Sequence, residues 1–143
     1  MNDNDHLFVG VDWATTLHQV CVLDADGNIV DEWQVKHSAT DLAELCTRLL
    51  QFADGVPDRV HLSIEMPHGA VVDTLLERRF RVFAINPKQL DRFRDRFTTA
   101  GAKDDRRDAH VLADSLRTDM RAFRLLQPDA AWVIELREQS RIQ

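Results

Sequence analysis

The chain has 143 residues, of which 44% are hydrophobic and 29% are charged, and this composition is typical of one folded domain with a buried core. No apolar run reaches the roughly 18 residues that span a bilayer, and residues 1–6 lack the basic and apolar regions of a secretion signal. We therefore expect a cytoplasmic protein with no membrane partner. Cys21 and Cys46 form no CxxC pair, so we expect buried, reduced thiols and no zinc site.

The hydrophobic pattern predicts strands and helices in a definite order along the chain. The predicted strands span Leu7–Asp12, His18–Asp24, Asn28–Lys36, Val60–Glu65 and Arg81–Ile85. The predicted helices follow Ser38, span about 69–79, follow Asn86-Pro87, and span about 103–119. Three strands in a meander, followed by alternating helices and strands, are the element order of the ribonuclease H-like fold. We expect an α/β domain with a mixed five-stranded sheet flanked by helices.

Two carboxylates stand at the ends of predicted strands. Asp12 ends the first strand and Glu65 ends the fourth. If these strands are parallel neighbours, both acids emerge at one edge of the sheet, where α/β folds place their ligand sites. Gly10 points to the same face as Asp12, and it leaves room there for an ion or for the close approach of another backbone.

Two more acids, Asp105 and Asp108, begin the last predicted helix at the head of its apolar stripe. At about 100° per residue, Asp104 is directed roughly 100° away from Asp105 and lies to the side. An unpaired charge on a buried face is costly, so either cations or basic side chains must balance these acids. Divalent cations suit carboxylate oxygens. The alternative is neutralisation by Lys103, Arg106 and a nearby arginine.

The four acids Asp12, Glu65, Asp105 and Asp108 predict a catalytic site for two divalent cations about 4 Å apart, an arrangement that supports phosphodiester cleavage. The carboxylates of such a site act as metal ligands and not as proton carriers. The sequence shows no Ser–His–Asp or Cys–His set. His68 follows Glu65 closely, and we interpret it as a loop residue.

Charge is distributed unevenly along the chain. Residues 1–77 carry a net charge of −11, whereas residues 78–124 hold 13 Lys and Arg against 7 Asp and Glu. Such an asymmetry marks either a surface that faces phosphate or a set of solvated helix faces. The candidate nucleic-acid-binding residues, which recur at i+4 after Pro87 or begin the acidic helix, are Lys88, Arg92, Arg96, Lys103 and Arg106.

These features resemble the N-terminal domain of the insertion-sequence 110 family of transposases, whose acidic tetrad is called DEDD. The resemblance covers most of residues 8–119. The Asn-Pro pair followed at this distance by Lys-x-Asp-x-x-Asp-Ala is its most specific part. The family usually has threonine where Asp104 stands, which indicates Asp105 as the third acid. The matching segments are Val9-Gly10-Val11-Asp12, Ile64-Glu65-Met66-Pro67, Asn86-Pro87 and Lys103-Asp104-Asp105-Arg106-Arg107-Asp108-Ala109.

The resemblance implies a fold like that of the Holliday-junction resolvase RuvC, with magnesium, or manganese in its place, bound by Asp12, Glu65, Asp105 and Asp108. It also implies a transposase or recombinase that acts on DNA as an oligomer and is guided by a bridge RNA in the full-length enzyme. A serine nucleophile would come from a second domain. We expect residues 1–124 to form the catalytic domain and residues 125–143 to begin a helical, coiled-coil segment, with the serine domain absent from these residues.

Two other classes of protein fit parts of the sequence. The segment from Gly10 to Thr16 resembles the first phosphate motif of the actin and sugar-kinase class, although Ala14 replaces a glycine that admits phosphate. That class predicts ATP binding, whereas a transposase predicts Mg²⁺ or Mn²⁺ binding without nucleotide. The other class is a non-catalytic transposase fragment that acts by dimerisation through Trp132 and its apolar neighbours in the tail. Packing of these residues within the domain is the competing interpretation.

Overall fold

A mixed six-stranded sheet carries helices on both faces in the part of the chain that the computed structural model describes, residues 5–14, 16–65, 69–96 and 105–127. The strands are β1 (Leu7–Asp12), β2 (Leu17–Leu23), β3 (Ile29–Lys36), β4 (Val60–Ile64), β5 (Arg81–Ala84) and β6 (Arg124–Leu126). The helices are α1 (Ala39–Phe52), α2 (Ala70–Glu77), α3 (Pro87–Arg94) and α4 (Asp105–Thr118), and short 3₁₀ turns span Pro57–Arg59 and Met120–Ala122.

The strand order across the sheet is β3-β2-β1-β4-β5-β6. β1, β2 and β3 form an antiparallel meander, while β4 pairs in parallel with β1, β5 in parallel with β4, and β6 antiparallel with β5. The turn between β2 and β3 contains Gly27 at a φ of +88°, a left-handed conformation that glycine adopts at little cost. The carboxyl ends of β1 and β4 therefore meet at one edge of the sheet, as the sequence predicts.

Each face of the sheet is covered by a different pair of helices. α1 and α2 enclose one core with Val9 and Val11 of β1, while α3 and α4 enclose a second core with Phe8. Because successive side chains of a strand point to opposite faces, β1 contributes to both cores and is buried up to its last residue. None of the helices within the described ranges is long and apolar enough to cross a membrane.

The helix starts predicted at Ser38 and Asn86 are confirmed. The Ser38 side chain accepts a hydrogen bond of 3.1 Å from the backbone N–H of Asp41, and the Asn86 side chain accepts one of 2.8 Å from Lys88. Pro87 occupies the first turn of α3, where its missing N–H costs nothing. The predicted apolar stripe of α1 is buried, and it comprises Leu42, Leu45, Cys46, Leu49 and Ala53.

The prediction of five strands is wrong by one, because β6 adds a sixth strand to the edge of the sheet. It pairs with β5 through contacts such as Phe83 opposite Leu125. A three-residue strand with mostly exposed side chains has no alternating pattern, so the sequence gives no signal for it. The sequence places the end of the domain at residue 124, whereas the sheet continues through Leu126. Residues 128–143, with Trp132 and the predicted tail helix, lie outside the described residues.

Both cysteines are buried and free. Burial and, to a lesser extent, the neighbouring Glu32 carboxylate raise the pKa of the Cys21 thiol to about 12. Burial also raises the pKa of the Cys46 thiol. Both thiols therefore stay protonated at neutral pH and behave as core residues, as the sequence predicts.

The backbone of α4 crosses β1 at Gly10 more closely than a side chain at this position would allow. A Cβ atom on Gly10 would overlap the carbonyl oxygen of Ala109 and lie 2.7 Å from the amide nitrogen of Ala113. Because both neighbours are backbone atoms, neither moves without displacing the helix. The sequence allows two uses for the space beside Gly10, an ion or the close approach of another backbone. The backbone of α4 fills this space.

Gly10→Ala should lower the free energy of unfolding by about 3 kcal/mol, because overpacking forces α4 away from β1. Gly55→Ala is the control: no atom lies within 4 Å of a Cβ there, and only its φ of +80° is strained, at a cost of about 1 kcal/mol. Urea unfolding of both variants measures the difference. Equal losses would contradict the close contact.

Candidate metal centre and nucleic-acid interface

Asp12 and Glu65 lie level with each other at the carboxyl edge of the sheet. β1 pairs in parallel with β4, and Gly10 stands opposite Ser63. Continuing this register by two residues puts Asp12 opposite Glu65. By strand alternation both carboxylates are directed to the face that α3 and α4 cover, which is the face to which Gly10 points. Both residues are half-buried.

Asp108 comes to the same edge from the first turn of α4. The helix lies over Gly10 at Ala109, and its far end reaches the β2–β3 turn, where Arg117 approaches Gly27. α4 therefore runs antiparallel to β1 and starts at the edge where β1 and β4 end. Asp108 precedes Ala109 and is held at this edge with its side chain 17% exposed.

Arg94 of α3 neutralises Asp108. Arg94 donates from Nε to Asp108 Oδ1 at 2.9 Å and from Nη1 to Asp91 Oδ1 at 2.5 Å. Burial lowers the pKa of the Arg94 guanidinium, but the hydrogen bond and charge of Asp108, followed by those of Asp91, outweigh it and raise the pKa above its ordinary value. Neutralisation of the acids by basic side chains is the alternative to a metal site that the sequence leaves open. For Asp108, an arginine of α3 provides it.

The remaining predicted members of the site are described only in part. α4 begins at Asp105, so the backbone of Asp105 lies in the same helical turn as Asp108. The side chains of Asp105 and Arg106 are not among those that the structure describes. Outside the described residues altogether lie Lys103, Asp104 and His68.

The described carboxylates fit a hard divalent cation in their chemistry. Asp12, Glu65 and Asp108 offer the oxygen ligands that Mg²⁺ and Mn²⁺ prefer. Within the described ranges, however, no three His, Cys, Asp or Glu side chains lie close enough to hold a metal ion together. The described carboxylates at this edge therefore do not form a complete metal site by themselves.

An open cavity of about 470 Å³ lies beside Glu65 at the same edge. Residues 84–87 and 122–124 form the rest of its lining, so the ends of β4 and β5 and the start of β6 surround it. Arg124 brings a positive charge to the cavity that holds the Glu65 carboxylate. The sequence does not indicate Arg124, because β6 has no recognisable pattern. Nor does it indicate the contact of Arg94 with Asp108, because the spacing between Asp91 and Arg94 predicts only an ion pair within one helix.

The loop that follows Asp12 is anchored by the buried His18, for which the sequence gives no signal. The Ala14 backbone N–H donates to His18 Nδ1 at 3.1 Å, and the Trp13 ring meets the His18 ring edge-on at 4.7 Å. His18 Nε2 then donates to His37 Nδ1 at 3.0 Å. Burial, and then the neighbouring His37, lower the pKa of His18 below its ordinary value. A neutral His18 therefore fixes the backbone two residues beyond Asp12.

The candidate nucleic-acid-binding residues Lys88, Arg92 and Arg96 differ in how firmly their side chains are held. Lys88 and Arg92 are exposed on the helix. Arg96 follows the helix, donates to Asp119 at 2.8 Å, and lies over the Phe93 ring at 4.7 Å from its centroid. Its side chain nevertheless remains 54% exposed. Arg96 is thus held in one place, whereas Lys88 and Arg92 extend into solvent.

Comparison with known proteins gives independent findings. The family model for DEDD transposases of the insertion-sequence 110 type, described as "Transposase", matches residues 9–143. The chain is 54% identical over 143 residues to "Putative transposase y4uE" of Sinorhizobium fredii (strain NBRC 101917 / NGR234), covering 99% of this chain and 40% of that protein. It is 35% identical over 128 residues to "Mini-circle putative transposase for IS117" of Streptomyces coelicolor (strain ATCC BAA-471 / A3(2) / M145), covering 90% of this chain and 31% of that protein. The chain thus spans less than half of the length of both relatives.

Among solved structures, the chain is similar to "T. thermophilus RuvC in complex with Holliday junction substrate". The TM-score is 0.54 at 14% sequence identity, and the match covers 85% of this chain and 99% of that chain. At this identity the likeness shows the fold alone. It confirms the predicted ribonuclease H-like architecture, and the family match favours a transposase over the actin and sugar-kinase class.

Arg94→Ala should lower the free energy of unfolding by about 1–2 kcal/mol, because it leaves the half-buried charge of Asp108 unpaired. Arg92→Ala, exposed on the same helix, is the control and should stay within about 0.5 kcal/mol of wild type. In a chain that already carries Asp108→Asn, Arg94→Ala should lower the free energy of unfolding by less. Urea unfolding without added metal measures wild type, the three single variants and the double variant. The same loss in both backgrounds would show that the pair contributes no stability.

Proposed function

The chain belongs to the insertion-sequence 110 family of DEDD transposases and has a RuvC-like fold, and on that premise we propose that it binds Mg²⁺ and acts on the phosphodiester bonds of DNA during recombination. The supporting observation is the register that sets Asp12 opposite Glu65 beneath the first turn of α4. Asp105 and Asp108 of that turn complete the proposed tetrad. Mn²⁺ has the same ligand preference and should substitute for Mg²⁺.

The residues of the chain have distinct roles in this proposal. When bound, divalent ions supply charge neutralisation and orientation for phosphodiester cleavage. Asp12 ends β1 and Glu65 directly follows β4, so both would hold the ions at a fixed place relative to the sheet. Gly10 lets α4 approach closely enough to bring Asp108 to the same edge. The buried His18 holds the loop after Asp12, which limits movement of the first carboxylate.

Arg94 acts on the same centre through Asp108. Without metal, its guanidinium balances the carboxylate at 2.9 Å and removes the cost of a half-buried charge. Asp108 would be one of the residues that hold a metal ion, and Arg94 would then keep its second partner, Asp91. The Arg94 guanidinium would have donors available for a phosphate of the DNA backbone. Arg94 is thus proposed as a positioning residue of the acidic centre.

We base the proposed nucleic-acid interface on basic residues between positions 88 and 106 of the sequence. We propose that DNA backbone is bound by Lys88, Arg92, Arg96, Lys103 and Arg106. The chain spans 40% and 31% of its two relatives, so further proposals concern the longer protein. In that protein we expect a second domain with a serine nucleophile, a bridge RNA that guides target choice, and assembly into oligomers. The acidic centre would then be one half of a composite active site.

Magnesium or manganese should raise the melting temperature of this chain through the acidic tetrad. Binding to the folded state alone adds about 2.7 kcal/mol of stability at 100 times the Kd. Asp12→Asn should remove most of this rise. Asp26→Asn changes an exposed acid in the β2–β3 turn at the opposite edge and should leave the rise intact. Thermal unfolding with metal and with EDTA measures the effect, and equal rises in wild type and Asp12→Asn would contradict the metal assignment.

The proposed reaction is tested with labelled branched and linear DNA followed by denaturing electrophoresis. We expect weak, metal-dependent nicking that Asp12→Asn abolishes and Asp26→Asn preserves. No protein should become covalently joined to DNA, because the proposed nucleophile belongs to another domain. A covalent adduct would overturn the composite-site proposal, and metal-independent nicking would overturn the role of the tetrad.

Asp105, and not Asp104, should be the third ligand. On an ideal helix, neighbouring side chains are directed about 100° apart, so only one of two consecutive aspartates would face the edge where Asp108 lies. Asp105→Asn should weaken Mn²⁺ binding by at least about tenfold, since even residues that only orient a ligand have effects of that size. Asp104→Asn is the matched control. Calorimetric titration measures both, and the reverse ranking would refute the assigned register of α4.

A further inference from the structure

A second open cavity, which we name the arginine cavity, lies at the opposite end of α4 from Asp108. It has a volume of about 670 Å³ and forms where α3 and the end of α4 meet the 3₁₀ turn Met120–Ala122. This volume is within the range of small-ligand sites. The lining residues that matter here are Gln89, Arg96, Arg117, Asp119, Met120 and Arg121.

The cavity carries an excess of positive charge. Arg96 pairs with Asp119 at 2.8 Å, and Arg117 holds Asp114 through Nε at 3.0 Å and Nη2 at 2.9 Å. Arg121 is exposed, and no ion pair reaches it from the described residues. A guanidinium has five N–H donors, so the pair with Asp119 leaves donors on Arg96 for another anion, whereas the Arg117 guanidinium lies against Asp114 and against Gly27 of the β2–β3 turn. Arg96 and Arg121 thus face solvent in one cavity with only partial internal neutralisation.

Asp119, the acid of the cavity, orients Arg96. Its negative charge is balanced by that arginine, so it repels an anionic ligand only weakly. Asp119 accepts hydrogen bonds from Thr118 Oγ1 at 2.6 Å and from Arg96 at 2.8 Å. These two hydrogen bonds, the first being the larger influence, lower the pKa of Asp119 below its ordinary value. The carboxylate therefore stays ionised and fixes the Arg96 guanidinium. On the other side, the Phe93 ring supports that guanidinium at 4.7 Å.

The arrangement suits a nucleotide better than a simple anion. A guanidinium held over an aromatic ring offers its outer face to a nucleobase, which stacks on arginine planes as it does on rings. Met120 and Ala122 add half-buried apolar surface. The Gln89 side chain adds an amide that donates and accepts hydrogen bonds. Charge for a phosphate and a surface for a base thus lie in one concavity.

The distance between the cavity and the acidic edge matches a few nucleotides of a single strand. Asp108 and Thr118 are about ten residues apart on one helix, which is roughly 15 Å along its axis. A stacked strand advances about 3.4 Å per nucleotide, so the separation corresponds to four or five nucleotides. A strand bound at the acidic edge is therefore able to reach the cavity without bending sharply.

We propose that the arginine cavity binds one unstacked nucleotide of a single-stranded nucleic acid, with its phosphate on Arg121 and its base against Arg96 and Met120. The proposal rests on the proposed function only in that the chain works on nucleic acid. A duplex does not suit the cavity, because its bases are stacked inside the helix. DNA and RNA strands share the chemistry that the cavity recognises.

The test is fluorescence anisotropy of this chain with short labelled DNA strands, RNA strands of the same sequence, and the corresponding duplex. EDTA is present throughout, so the acidic centre holds no metal and its failure cannot affect the outcome. Arg121→Gln should weaken single-strand binding several-fold and lower the slope of log affinity against log salt by about 0.7. Arg121→Lys should restore the slope. Arg78→Gln, an exposed arginine beside α2 on the other face of the sheet, should bind as wild type does.

Stronger binding of one strand type identifies DNA or RNA as the ligand, and either result supports the proposal. Equal loss in Arg121→Gln and Arg78→Gln would overturn it, since charge alone would then explain binding. Duplex binding as tight as single-strand binding would also overturn it. So would the absence of single-strand binding by the wild-type chain.

Discussion

The backbone contact between α4 and β1 at Gly10 determines where most of the functional chemistry of this fold lies. With Ala109 and Ala113 directly over the strand, α4 sits deep enough for Leu112 and Leu116 to be fully buried in the second core. Burial of each such side chain contributes about 1.5–3 kcal/mol. The same contact fixes which turn of the helix reaches the carboxyl edge, and so it brings Asp108 to the edge of the sheet at which Asp12 and Glu65 stand.

Asp108 and Arg117 lie towards opposite ends of α4, and the sign of each charge suits the helix dipole. Backbone N–H groups carry partial positive charge at the start of the helix, near Asp108, and carbonyl groups carry partial negative charge in the last turn, which contains Arg117. Each end also has a partner from a neighbouring segment: Arg94 meets Asp108, and Arg96 meets Asp119. The helix thus separates an acidic centre from a basic cavity while stabilising both.

Much of this arrangement is legible in the sequence, and the failures have clear physical causes. The apolar run before Asp12, the cap at Ser38 and the Asn86-Pro87 pair are local signals, and each gives a correct element. The short strand β6 has no such signal, because its three residues are mostly exposed and it joins the sheet through its pairing with β5. The pair of Arg94 with Asp108 joins two helices, and spacing along one helix does not reveal it.

The late position of α4 in the chain has a consequence for synthesis on the ribosome. β1 and β4 emerge early and have their partners for one core in α1 and α2, which also emerge early. The other face of the sheet, with Phe8 and the carboxylates at its edge, stays uncovered until α4 has left the exit tunnel. A nascent chain therefore has an exposed apolar surface that favours chaperone binding. It also lacks the last acids, so the centre is assembled only when nearly all of the domain has been made.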